Sequence, residues 1–262
     1  MSEQTHAVPE AVQEGSAEAL IRLQGISKVY GKSKEPVVAL SDVDLVVRRR
    51  EFVAIMGPSG SGKSTLLSIM GLLDRPTSGS YLLEGVDVTG LKDKELARIR
   101  RDHFGFIFQH YNLFPELTAV ENVEVPMIYA GVPARDRRRR AKELLEQVGL
   151  GHRLNHRPAE MSGGEQQRTA IARALANAPT VLFADEPTGN LPTEQGRQVM
   201  QALKELNEQG MTVLVVTHDP GIALWSQRLL TIRDGRIVSD EPTAQSQLLK
   251  TQAALFAEDV EP

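Results

Sequence analysis

Phe52-Val53-Ala54-Ile55-Met56-Gly57-Pro58-Ser59-Gly60-Ser61-Gly62-Lys63-Ser64-Thr65-Leu66-Leu67-Ser68-Ile69-Met70 decides the fold of this chain. Its middle, Gly57 to Thr65, meets every fixed position of the phosphate-binding pattern G-x-x-x-x-G-K-[ST]. The apolar run before it predicts a buried strand, and the run after it the first turns of a helix. Glycines in such a loop let the backbone curl until successive N–H groups point at phosphate oxygens. The helix N-terminus adds a favourable dipole. Lys63 is placed to reach the outer phosphates, and the Ser64 hydroxyl to ligate magnesium.

The strands outside this stretch extend the pattern. Apolar and polar residues alternate from Leu20 to Tyr30 and from Val43 to Val47, predicting half-exposed strands. Tyr81-Leu82-Leu83 and Phe104 to Phe108 read as short strands. From about Thr118 to Ala176 helical periodicity dominates, with one clear amphipathic helix at Ala134–Val148. Core strands return at Val181–Ala184 and Thr212–Val216, flanking a crossover helix at Glu194–Glu208, which implies a parallel sheet. Leu229–Ile232 and Arg236–Val238, split by Asp234-Gly235, predict a hairpin. A short helix is expected from about Gln245 to Phe256.

Composition narrows the classes. The chain has 262 residues, 41% hydrophobic and 24% charged, a net charge of −4 and no cysteine. That allows one large or two small domains. It excludes disulfides, thiolate zinc sites and cysteine nucleophiles, and gives no overall field that favours nucleic acid. No apolar run approaches the ~20 residues that span a bilayer. Residues 1–18 are polar and acidic without the apolar core of a signal peptide, so a disordered tail and a cytoplasmic location are expected. Any membrane-spanning helices must then come from a partner. The run Arg137-Arg138-Arg139-Arg140 reads as a solvated helix face balanced by Glu143 and Glu146.

Two further motifs carry chemistry. Val181-Leu182-Phe183-Ala184-Asp185-Glu186 is an apolar strand ending in two carboxylates. Asp185 can hold the magnesium, usually through water, and Glu186 can polarise an attacking water. Met161-Ser162-Gly163-Gly164-Glu165-Gln166-Gln167-Arg168 precedes a helix. Serine with two glycines at a helix start is another anion-binding arrangement, although alone it could be a cap. It has no evident partner within one subunit, which suggests a nucleotide shared between two copies.

In this order, over about residues 20 to 240, the set resembles the nucleotide-binding domains of ATP-binding-cassette proteins. The resemblance implies an α/β P-loop NTPase (RecA-like) core with an N-terminal antiparallel β portion and an inserted α-helical subdomain at about 90–178. The cassette would span 19–240, followed by a tail at 241–262. It implies that Tyr30 stacks on adenine and that Gly57, Pro58, Ser59, Gly60, Ser61, Gly62, Lys63, Ser64 and Thr65 hold the phosphates of ATP. Gln109, after Phe106-Ile107-Phe108, would touch Mg2+ with Ser64 and Asp185. Ser162, Gly163, Gly164 and Glu165 would bind the γ-phosphate held by the opposite subunit. Glu186, His218 and Lys63 would be the catalytic residues, with His218, after Val215-Val216-Thr217, as the switch histidine.

Gly71-Leu72-Leu73-Asp74-Arg75-Pro76-Thr77-Ser78-Gly79, Phe106–Gln109, Glu121-Asn122-Val123, Glu186–Leu191 and Glu165 itself resemble the macrolide-exporter and lipoprotein-releasing branch. That branch implies an ATP-dependent homodimer and an integral-membrane permease with a large extracytoplasmic domain, and no nucleic acid. The chain would sit at the cytoplasmic face of the inner membrane, held there by the permease, powering export or extraction of cargo. The alternative is a mechanotransmitting ATPase that controls an envelope hydrolase or division complex. A soluble cassette acting on ribosomes or DNA would carry two cassettes or a long coiled-coil insertion, and this chain has neither. One position departs from the family pattern: Pro192 follows Gly189-Asn190-Leu191 where an interface aspartate is usual, and proline suits a first helical position.

Overall fold

The structure, a computed structural model, describes residues 19–31, 36–247 and 249. The tail 1–18 lies outside them, as does most of the expected helix from Gln245 to Phe256. The first part of the chain runs β1 (Ala19–Tyr30), β2 (Val37–Arg48), β3 (Phe52–Met56), α1 (Lys63–Met70), β4 (Ser78–Leu83), β5 (Val86–Asp87), α2 (Asp93–His103) and β6 (Phe104–Phe108). It continues through α3 (Ala119–Tyr129), α4 (Ala134–Gln147), α5 (Gly163–Ala174), β7 (Val181–Asp185), α6 (Thr193–Glu208), β8 (Thr212–Val216), α7 (Pro220–Ala223), β9 (Arg228–Arg233) and β10 (Arg236–Pro242).

Two sheets form. The smaller has four strands in the order β2-β1-β4-β5, paired antiparallel. The larger has six in the order β10-β9-β3-β8-β7-β6. Its pairs from β9 to β6 are parallel, and only β10 runs against its neighbour. Every residue of β3 and β8 is buried, as expected for strands covered on both faces. Alternation along these strands splits the core in two. Val53, Ile55, Phe183, Leu214 and Val216 pack with α1 and the smaller sheet. Phe52, Leu182, Ala184, Val213 and Val215 pack with α3, α4, α5 and α6.

Residues 90–178 contribute to both layers. Phe104–Phe108 joins the large sheet beside β7, while α3, α4 and α5 pack on one another and on that sheet's second face. Helix α4 departs from its sequence reading. Arg137 and Arg138 converge on the buried Glu124 of α3, at 2.9 and 3.1 Å, and Arg139 reaches Asp136 at 3.2 Å and Glu143 at 3.9 Å. Half of the basic run therefore ties α4 to α3, because a buried carboxylate needs a compensating charge.

The seam between α5 and β6 is the tightest part of this packing. A Cβ at Gly105 would lie 2.6 Å from both the Ala174 carbonyl oxygen and Leu182 Cδ2. Gly105→Ala is expected to lower stability by about 1–3 kcal/mol through overpacking, read as a lower urea midpoint at unchanged m-value.

Candidate nucleotide site

The loop after β3 is braced from two sides. Gly62, which caps α1, has φ 105° and ψ 2°, a region that residues with a side chain rarely adopt. A Cβ there would lie 2.5 Å from the carbonyl oxygen of Ala39 on β2. On the other side, the Gly235 amide in the β9–β10 turn donates to Ser61 O at 2.9 Å. Lys63 is buried, and its Nζ donates to the Gly57 and Pro58 carbonyls at 2.8 and 2.9 Å. The Ser61 hydroxyl is buried and has no hydrogen-bond partner among the described residues. An unpaired buried donor costs about 1–3 kcal/mol, and a phosphate oxygen would satisfy it. A curled backbone, a buried ammonium and an orphaned hydroxyl fit a phosphate group.

The carboxylates lie beside this loop because the strands run in parallel. Asp185 ends β7, level with Phe108 on β6 and Val216 on β8. Burial and the neighbouring charge of Glu186 push its carboxyl up, while Lys63 and a hydrogen bond from Ser64 pull it back. A divalent cation would relieve that burden, so Ser64 and Asp185 fit Mg2+, which takes few protein oxygens and completes its shell with phosphate and water. Glu186 has φ 49° and donates its amide to Val216 O at 2.9 Å. This left-handed step turns its side chain out of the strand line to meet His218, with Oε1 and Nδ1 2.7 Å apart. Gln109, just past β6, is held by Asn190, whose amide donates to Gln109 O at 3.1 Å. Tyr30, at the end of β1, donates its hydroxyl to Asp74 Oδ2 at 2.8 Å.

Ser162 to Glu165 form a separate group. Ser162 caps α5, accepting from Glu165 N at 3.3 Å and donating its amide to Glu165 Oε2 at 2.8 Å. Glu165 also pairs with Arg153 at 2.8 Å. Burial opposes its charge, but the Ser162 bonds and Arg153 hold its carboxyl below the usual range. The sequence reading leaves this helix start without a partner in its own subunit. The structure supplies one: Gly164 N donates to Gln195 Oε1 on α6 at 2.8 Å. Among the described residues no hydrogen bond links this group to the phosphate loop. Pro192 occupies the N-cap of α6, one residue before the first helical position.

Gln195, Arg153 and Asn190 escaped the sequence reading as supports. Each is an ordinary polar residue on a loop or solvent-facing helix, with no spacing that announces its partner.

A family model described as ABC transporter matches residues 40–189, more than half of the chain. The chain belongs to the ABC transporter family. It is an ATP-hydrolysing cassette of that family, with the P-loop fold. An uncharacterized ABC transporter ATP-binding protein of Thermotoga maritima is 55% identical over 218 residues, covering 83% of this chain and 93% of that one. The macrolide export ATP-binding/permease protein MacB 1/2 of Paracoccus denitrificans is 54% identical over 224 residues, 86% of this chain. The cassette spans about a third of that relative's length, 34%. A solved ATP-binding cassette in a dimeric post-hydrolysis state with ADP and Pi is 46% identical, with a TM-score of 0.79 over 85% of this chain and 98% of that one.

The Asp185 carboxylate is held at a cost. The folded pKa of Asp185 lies above its unfolded value, so at neutral pH its charge destabilises the nucleotide-free fold, and protonation near the raised pKa relieves it. Asp185→Asn is expected to raise the melting temperature of the nucleotide-free protein at pH 7 by about 1–3 °C. The gain should shrink as pH falls through the raised pKa. Added Mg2+–ATP should stabilise the variant less than the wild type. Scanning calorimetry across pH 4–8 checks both.

Proposed function

We propose that the cassette hydrolyses Mg2+–ATP as a homodimer and drives a separate permease for export across the membrane. The observation that carries the chemistry is the Glu186–His218 contact of 2.7 Å beside the Asp185–Ser64 pair. Glu186 orients and deprotonates the attacking water, and His218 steadies Glu186 and the γ-phosphate. Lys63 leaves the Gly57 and Pro58 carbonyls to offset charge on the outer phosphates. Ser64 and Asp185, with Gln109 beside them, would hold Mg2+, which when bound would supply positive charge against that of the phosphates. Ser162, Gly163 and Gly164 serve the nucleotide of the second copy. Support for that arrangement comes from the dimeric state of the solved relative.

An apolar groove of about 500 Å³ supports the permease partner. It lies where β6 meets α2, α3 and α5, lined by Leu73, Phe106, Phe114, Pro126 and Tyr129 among others. Leu73, Phe114 and Tyr129 are exposed. Contiguous exposed apolar surface marks an interaction site. Among the described residues no helix is long and apolar enough to cross a membrane. We place the cassette at the cytoplasmic face, on a permease with a large extracytoplasmic domain. The MacB relatives, which join ATP-binding and permease parts in one chain by name, favour export.

Glu186→Gln should keep nucleotide affinity while steady-state phosphate release falls ~100-fold or more. A variant with near-normal turnover removes Glu186 from the chemical step. The same variant should be dimeric with ATP and weakly associated without it. Adding Ser162→Arg should abolish that dimer, as measured by light scattering during size-exclusion chromatography.

A further inference from the structure

The family-type stacking residue, Tyr30, is tied into a cluster of its own. Lys28 and Tyr30 lie two residues apart on β1, which puts both side chains on one face. The Lys28 ammonium sits 4.8 Å from the centroid of the Tyr30 ring. It also donates to Asp74 Oδ1 and to the Arg75 carbonyl, each at 2.7 Å. The other oxygen of the same carboxylate, Asp74 Oδ2, accepts from the Tyr30 hydroxyl at 2.8 Å. One carboxylate therefore fixes both the cation and the ring. Below it, Thr77 Oγ1 accepts from the intervening Val29 amide at 3.0 Å, which pins the strand end to the segment carrying Asp74.

This arrangement is built, not incidental. The Lys28 side chain is only 12% exposed, whereas the Tyr30 residue is 41% exposed. A lysine has no need to bury its charge unless the partners are fixed. The Lys28 ammonium lies over one face of the ring, and the exposure of Tyr30 leaves part of its surface to a ligand. The ring oxygen is bonded to Asp74 and the Lys28 ammonium lies over the ring, so the end of the side chain is held before any base arrives.

We infer that Lys28 and Asp74 are positioning residues for the nucleotide base. Lys28 backs the Tyr30 ring with a cation, and Asp74 locks ring and cation in one orientation, so that a purine stacks on the open face. The inference rests on the reading of Tyr30 as the base-stacking residue. Pre-organisation lowers the ordering cost of that stack, and the cation–ring contact holds the ring in place. Their side chains bond to each other, to Tyr30 and to Arg75, with no hydrogen bond to the phosphate loop among the described residues, so the expected effect is on the base.

The test compares two ligands on the full chain by isothermal titration calorimetry: ATP, and inorganic tripolyphosphate, which lacks a base. Lys28→Met is expected to weaken ATP binding about 3- to 10-fold and to leave tripolyphosphate within about 2-fold of wild type. Lys28→Arg, which keeps the cation, should recover most of the ATP affinity. Asp74→Asn should behave like Lys28→Met and replaces it if that variant does not fold. Equal losses for both ligands overturn the inference in favour of a merely structural ion pair. So does unchanged ATP affinity in Lys28→Met alongside weakened ATP binding in Tyr30→Ala, which leaves the stacking role of Tyr30 standing. If Tyr30→Ala itself leaves the ratio of the two affinities unchanged, the reading of Tyr30 fails and the inference falls with it.

Discussion

Parallel pairing of β3, β8, β7 and β6 puts four carboxyl ends on one rim of the large sheet. The nucleotide site depends on that constraint. The phosphate loop follows β3, Gln109 follows β6, Glu186 follows β7 and His218 follows β8. Phe108, Asp185 and Val216 sit level in the register, so residues more than a hundred positions apart arrive at one place. A one-residue slip would turn the side chains of a whole strand to the other face. The double-sided core forbids it: residues of β7 and β8 alternate between two apolar clusters that are both closed to water.

The site itself is held by strain and burial that the surrounding fold sustains. Gly62 and Glu186 both sit at positive φ, and the second has a full side chain there. Such a residue persists when neighbours over-determine it; here the Val216 carbonyl and His218 hold Glu186 from both ends. Burial and the charge of Glu186 push the Asp185 carboxyl up, so its ionised form is disfavoured. A fold selected only for stability would neutralise it. Retaining it is understandable when a cation or a phosphate-bound metal offsets the charge during work.

The Ser162–Glu165 group sits apart from the phosphate loop. The start of α5 is fastened to α6 through Gln195 and to the Arg153 turn through Glu165, so it belongs to the helical layer. The phosphate loop belongs to the sheet layer. A dimer that places the α5 start of one copy over the loop of the other would therefore feel any shift between the layers, and the apolar groove lies at that seam.

Much of this was legible in the sequence, because local physics wrote it there. Continuous apolar runs announced β3, β7 and β8; Asp234-Gly235 announced the β9–β10 turn, where both residues take positive φ. The phosphate loop was readable because its glycines and lysine act within nine residues. Other elements left no such trace. Helix α2 buries only Leu96, so it lacks an apolar stripe, and β5 has two residues. Glu124 gathering two arginines from α4, Gln195 reaching Gly164, and Asp74 joining Lys28 to Tyr30 are contacts between distant segments. Sequence alone determined which residue types carry the chemistry and the order of the strands along the chain. Tertiary structure decided which polar residues support them, because a long-range hydrogen bond is set by how layers pack and leaves no period or spacing in the chain.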